Sequence, residues 1–265
     1  MKALFLLLVS GLKWGKLATS GGSMLLSLVV YATIWGWRYA AGFIALLFAH
    51  EMGHYVAARQ RGLDVGAPAF IPFVGAWIAL KDQPVDVETE AYVAIAGPVV
   101  GTAAALAVYL WARSEDSGLL LAIAYSGLFL NLFNLLPISP LDGGRVTAAL
   151  SPRIWFLGVP VLLALVLYRP SPMLVIVAIL AAPQLMKAWR YDPKAPENVA
   201  YYGVPLQTKL EYGAAYLALA ALLAVMTYDV HEMLSRFARP VQRMPQKLRA
   251  RCRRADRCIR MSAVT

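Results

Sequence analysis

The chain has 265 residues, 60% hydrophobic and 15% charged, with a formal net charge of +10. A soluble domain is typically about 45–50% apolar and about 25% charged, so this composition argues against a soluble globular domain and points to the bilayer as solvent. The charge is lopsided: from Glu232 onward, nine Arg and Lys247 oppose only Glu232 and Asp256.

Residues 1–20 carry Lys2, a short apolar run, then Lys13, Trp14 and Lys16. They read as an interfacial segment rather than a cleaved leader. Ser23–Trp37 reads as a first membrane span, flanked by the interface anchors Trp35, Trp37 and Arg38. A reversal at Arg38–Ala40 then leads into a second helix, Ala41–Arg59, whose end is marked by Arg59, Arg61 and Gly62. The next stretch, DVGAPAFIPFVGAWIALKDQP, is apolar but interrupted by Gly and Pro. It is too irregular for a spanning helix and reads as a strand or hairpin beside a functional site, since non-helical backbone at membrane depth needs protein or water around it.

Glu88–Arg113 is a third span, with Gly97 and Gly101 spaced as a close-approach face between helices. Leu119–Leu136 is a fourth, and Ile154–Tyr168 and Met173–Trp189 make two more. A polar loop, 190–209, precedes a last apolar helix, Leu210–Tyr228, which spans or lies buried; the charge pattern favours one that does not fully cross. The expected fold is therefore an all-α polytopic membrane protein with six or seven membrane helices and a small β or re-entrant element near the site. The expected segments are an interfacial 1–20, a membrane core 21–190, a loop and last helix 191–231, and a basic tail 232–265.

The tail has no aromatic residue after Phe237 to stack bases. It suits water or anionic lipid headgroups, and no nucleic-acid partner is expected. Cys252 and Cys258 lie in it with no His nearby, which argues against a zinc ribbon. Free thiols are the simple reading, and a disulfide is the other.

Two of the three histidines in the chain, His50 and His54, stand four residues apart in a very apolar helix. Residues i and i+4 share a helical face, so two imidazoles so spaced can bind one Zn²⁺. Glu51 between them points partly sideways, placed to act as a base without being a ligand. The bland reading is a pair of hydrogen-bonded core histidines, but ionisable groups inside spans are costly and functional by default. A hydrolytic zinc needs a third protein ligand. His231 is remote, at the far end of the last helix, and Asp142 in PLDGGR is the better candidate. Pro140 shapes the approach to it, and Gly143-Gly144 allow unusual backbone angles and close packing. Taken alone, this stretch also reads as an ordinary turn with an N-capping Asp.

HEMGH (50–54) and NLLPISPLDGG (134–144) together resemble the site-2 protease family of intramembrane zinc metalloproteases, in order and in spacing, over roughly residues 20–190. The resemblance implies one Zn²⁺ per chain held by His50, His54 and Asp142. Glu51 would activate the zinc-bound water and protonate the leaving amine. Asn134 would hold substrate backbone or an oxyanion, or else make a helix–helix hydrogen bond, while Asn131 one turn earlier reads as structural. The resemblance further implies a multi-pass protein of a bacterial-type cell membrane, with the site reached from the cytoplasmic side. Its partners would be membrane lipids and a transmembrane protein substrate, which the broken stretch around Phe70–Leu80 could hold by strand addition. The PDZ or nucleotide-sensing modules of many relatives are not expected. The alternatives are a non-proteolytic relative that binds transmembrane helices, which the intact Glu51 argues against, and an ion-coupled transporter. The latter usually shows paired broken helices in two related halves.

Overall fold

A computed structural model describes residues 21–71, 75–80, 84–168 and 171–243. The expected interfacial segment 1–20, the basic tail beyond 243 and both cysteines lie outside the described residues.

Helix α1 (Gly21–Trp35) ends at Gly36, whose φ of 85° and ψ of 151° are open essentially to glycine alone. The reversal therefore falls at Gly36 and not at Arg38–Ala40, because only there does the chain have a residue that can take the angle. Helix α2 (Trp37–Gln60) starts at once, and Tyr31 of α1 packs edge-on against Phe43 of α2 at 5.5 Å. Helix α2 closes with Gly62 at φ 75° and a Leu63 N–H to Ala58 carbonyl bond of 3.0 Å. This is the left-handed glycine stop expected there. Leu63 folds back onto Ala57 and Ala58.

The broken apolar stretch is an antiparallel hairpin of β1 (Val65–Ile71) and β2 (Gly75–Leu80), packed on α2. Its register runs Ile71 to Gly75 through Pro68 to Ile78, with an irregularity between Val65 and Pro68. Proline has no N–H for a ladder, so the break falls beside it.

Helix α3 (Val87–Ser114) is the central element, touching α2, α4, α5 and α9. The Asp86 carboxylate accepts from the Thr89 N–H at 2.7 Å, and Glu88 and Glu90 occupy the first turn, where the helix dipole favours negative charge. Helix α4 (Gly118–Asn134), capped by Ser117, returns along α3. Asp142 opens a seven-residue helix, α5 (Asp142–Ala148). The DGGRVT run is thus helical rather than a turn. Gly143 and Gly144 have no unusual backbone angles; they serve the close packing instead, because a Cβ there would strike the Leu135 carbonyl and the Ile138 backbone respectively.

A 3₁₀ segment (Pro152–Leu157) leads into α6 (Gly158–Tyr168), followed by α7 (Pro172–Trp189). The expected polar loop contains a short helix, α8 (Pro196–Tyr202), started by Pro196. Helix α9 (Leu206–Arg243) is far longer than the Leu210–Tyr228 expected. It runs antiparallel to α4 along the whole of that helix. The Tyr216 hydroxyl donates to the Leu135 carbonyl (2.6 Å), the His231 ring lies tilted against Tyr125 (5.6 Å) and Phe237 lies beside Gly118. The beginning of the basic segment therefore sits at the end of the molecule remote from Asp142.

Among the described residues, two helices are long and apolar enough to cross a membrane: α3, and Leu206–Phe237 within α9. That is fewer than the six or seven expected. The apolar α4 has 17 residues, about 25 Å of rise against a hydrocarbon core of about 30 Å. Helix α2 is made less apolar by the ionisable groups it carries. Leu163, Leu167, Ile179, Leu180, Leu217 and Val225 stand exposed on the outer faces of α6, α7 and α9, an apolar surface suited to lipid rather than to water.

Candidate metal centre

Helix α2 presents His50 and His54 one turn apart, and α5 presents Asp142 against both. The His50 and His54 Nε2 atoms are 3.1 Å apart, and each lies 3.3 Å from Asp142 Oδ2. His50, Glu51 and Asp142 are buried, and His54 is half-buried. Among the described residues this is the group of His, Cys, Asp or Glu side chains able to hold a metal ion.

The second nitrogen of each ring fixes what the first can do. Asn131, fully buried in α4, donates from Nδ2 to the Gly127 carbonyl (2.7 Å), which turns its Oδ1 towards His50 Nδ1 at 2.8 Å. An amide oxygen only accepts, so Nδ1 of a neutral His50 carries the hydrogen. The Val93 carbonyl, 2.8 Å from His54 Nδ1, imposes the same tautomer on His54. Both Nε2 atoms then face each other and a carboxylate oxygen with lone pairs alone. Three acceptors so converged repel one another unless a cation lies among them. A proton satisfies one pair, whereas a divalent metal satisfies all three. The edges of the triangle also fit: ligands at about 2.0–2.1 Å from a tetrahedral zinc lie about 3.3 Å apart.

Two glycines make room for this arrangement. A Cβ on Gly97 would run into the His54 imidazole, and one on Gly101 into the Asn131 amide. The close-approach face anticipated between helices is therefore the seat of a site ring and of the amide that orients the other ring.

Glu51 follows His50 in α2 and makes no hydrogen bond or ion pair among the described residues. It is a buried carboxylate at the edge of the cluster without a dedicated structural partner. Asn134 ends α4 half-buried, likewise without a side-chain hydrogen bond among the described residues. The helix–helix bond weighed for Asn134 belongs to Asn131 instead. The two lie three positions apart, so both fit the same helix face, and sequence spacing alone does not separate them. His231 is remote, its ring tilted against Tyr125.

Residues 38–117 match the family model described as Peptidase family M50. The chain is similar to "Putative zinc metalloprotease Rip3" of Mycobacterium tuberculosis, 34% identical over 132 residues, which cover 45% of this chain and 33% of that protein. It is also similar to "Zinc metalloprotease MJ0392" of Methanocaldococcus jannaschii, 28% identical over 130 residues, covering 47% of this chain and 37% of that protein. The chain spans about a third of the length of these curated relatives. Both relatives carry the name of zinc metalloprotease. The family match includes His50, Glu51 and His54 but stops before Asp142, which joins the site through its position in space.

Proposed function

We propose that the chain is an intramembrane zinc endopeptidase that hydrolyses peptide bonds in or near transmembrane segments of other membrane proteins. The observation that carries this reading is the convergence of His50 Nε2, His54 Nε2 and Asp142 Oδ2 within 3.3 Å of one another, with the buried Glu51 carboxylate beside them. His50, His54 and Asp142 would hold zinc, and the donor set of two imidazoles and a carboxylate suits that metal. When bound, zinc supplies Lewis-acid polarisation of a carbonyl and a lowered pKa for water.

The chain's own residues do the rest. Glu51 accepts the proton of the attacking water and returns it to the leaving amine. Asn131 and Val93 hold both imidazoles with Nε2 turned inward. Asn134, free of a structural hydrogen bond, offers its amide N–H to substrate backbone or to the developing oxyanion. The β1–β2 hairpin offers strand backbone to an unwound substrate.

The same reading carries a multi-pass topology in which the shorter apolar helices also cross. The cationic residues at the site's end of the molecule, Arg59, Arg61, Arg145, Lys187 and Arg190, favour a cytoplasmic site. The basic end of α9 lies at the other end and pulls the opposite way, so reporters fused near Arg61 and Arg236 decide the orientation. The tail 232–265 is assigned to anionic lipid.

The test is reconstitution of purified protein with a transmembrane peptide. Glu51→Gln keeps stoichiometric zinc and loses cleavage. Asp142→Asn loses zinc affinity and, with it, cleavage. A wild-type protein without stoichiometric zinc overturns the reading.

A further inference from the structure

Helix α5 delivers Asp142, yet it has little of its own to hold it in place. It is two turns long, and no side chain caps its start. A helix this short is not stable by itself, so its rotation about its axis, and with it the aim of Asp142, is set by what grips it. One turn after Asp142, Arg145 Nε donates to Glu90 Oε1 of α3 at 3.1 Å. The other Glu90 oxygen, Oε2, accepts from the Tyr201 hydroxyl of α8 at 2.6 Å. Burial, then the neighbouring Glu90 carboxylate, push the Tyr201 phenol above its ordinary range, so it remains a donor. Trp155 Nε1 donates to the Gly144 carbonyl at 2.7 Å and pins the same turn from the other side. Glu90 lies one turn before the Val93 carbonyl that orients His54. A single rigid turn of α3 thus references both the imidazole and the helix carrying the carboxylate.

We propose that Arg145 and Glu90 are positioning residues for Asp142, and that Tyr201 is the third member, coupling α8 to the metal site. This rests on the reading of His50, His54 and Asp142 as a zinc site. A partly exposed ion pair adds little to stability as such, so its contribution is to geometry.

The experiment uses the full chain in detergent, stripped of metal. It measures zinc affinity by competition with a chromophoric chelator, the visible spectrum of the cobalt-substituted protein, and the thermal midpoint of the metal-free protein. Arg145→Gln and Glu90→Gln should each weaken zinc by roughly 10-fold or more and alter the cobalt spectrum, with little change in the metal-free midpoint. The double variant should be no weaker than the singles. Arg145→Lys should recover part of the loss, and Tyr201→Phe should show a smaller loss of the same kind. Wild-type affinity in both single variants, additive losses in the double, or losses that track the metal-free midpoint overturn the proposal. If the Arg145 and Glu90 variants do not fold, Tyr201→Phe decides: unchanged affinity and spectrum overturn it. A wild type that binds no zinc removes this proposal together with the zinc reading, whereas a zinc-binding wild type with indifferent variants removes this one alone.

Discussion

At the scale of single residues, the site is a matter of hydrogens. His50 and His54 can serve as ligands through Nε2 because Nδ1 is committed elsewhere, to an amide oxygen in one case and a backbone carbonyl in the other. Asn131→Leu leaves the His50 Nδ1–H without its partner in a buried place. Zinc affinity should fall by roughly 10–100-fold, read by chelator competition, while a cap variant far from the site leaves it unchanged. The two histidines and Glu51 were legible in the sequence, because four-residue spacing on a helix is a local property. Asn131 was not. It read only as structural, and its partner could not be named, because the bond to His50 exists only where α4 crosses α2.

At the scale of elements, glycine decides how closely the helices approach. Gly97 sits where any side chain would enter the space of the His54 ring. Gly97→Ala should therefore lower both stability, by about 1–3 kcal/mol, and metal affinity, measured by thermal unfolding and zinc competition on the same preparation. Gly36 is the contrasting case. A Cβ there meets nothing within 4 Å, but the backbone angle is closed to other residues. Gly36→Ala should destabilise by about 1–3 kcal/mol and leave zinc affinity as in the wild type. The GxxxG spacing announced a close contact between helices. It did not announce that the contacting groups are an imidazole and an amide of the site. Helices α5 and α8 were missed for a related reason: seven residues carry too little periodicity to stand out, and both are held by partners distant in sequence.

At the scale of the whole molecule, a metal at this site would tie α2 to α5, two elements more than eighty residues apart in the chain, against the central α3. Stripping the protein with a chelator should lower its thermal midpoint. Stoichiometric zinc should restore it and magnesium should not, since two of the three donors are imidazoles. A ligand present at about 100 times its Kd stabilises the folded state by about 2.7 kcal/mol, which is readily measured. Unchanged melting after verified removal of metal would contradict the joining role.

Local spacing and composition, which the sequence carries by itself, determined the apolar helices, the two imidazoles on one face with a carboxylate between them, the glycine stop at Gly62, and the hairpin in the Gly- and Pro-broken stretch. Asp142 could be nominated from a distant motif. That it meets both Nε2 atoms at 3.3 Å was decided by the tertiary structure. So were the place of the reversal at Gly36, the full length of α9 beside α4, and the choice of Asn131 over Asn134 as the partner of His50. These depend on which helix faces lie against one another, and a single helix cannot specify that before its neighbours are in place.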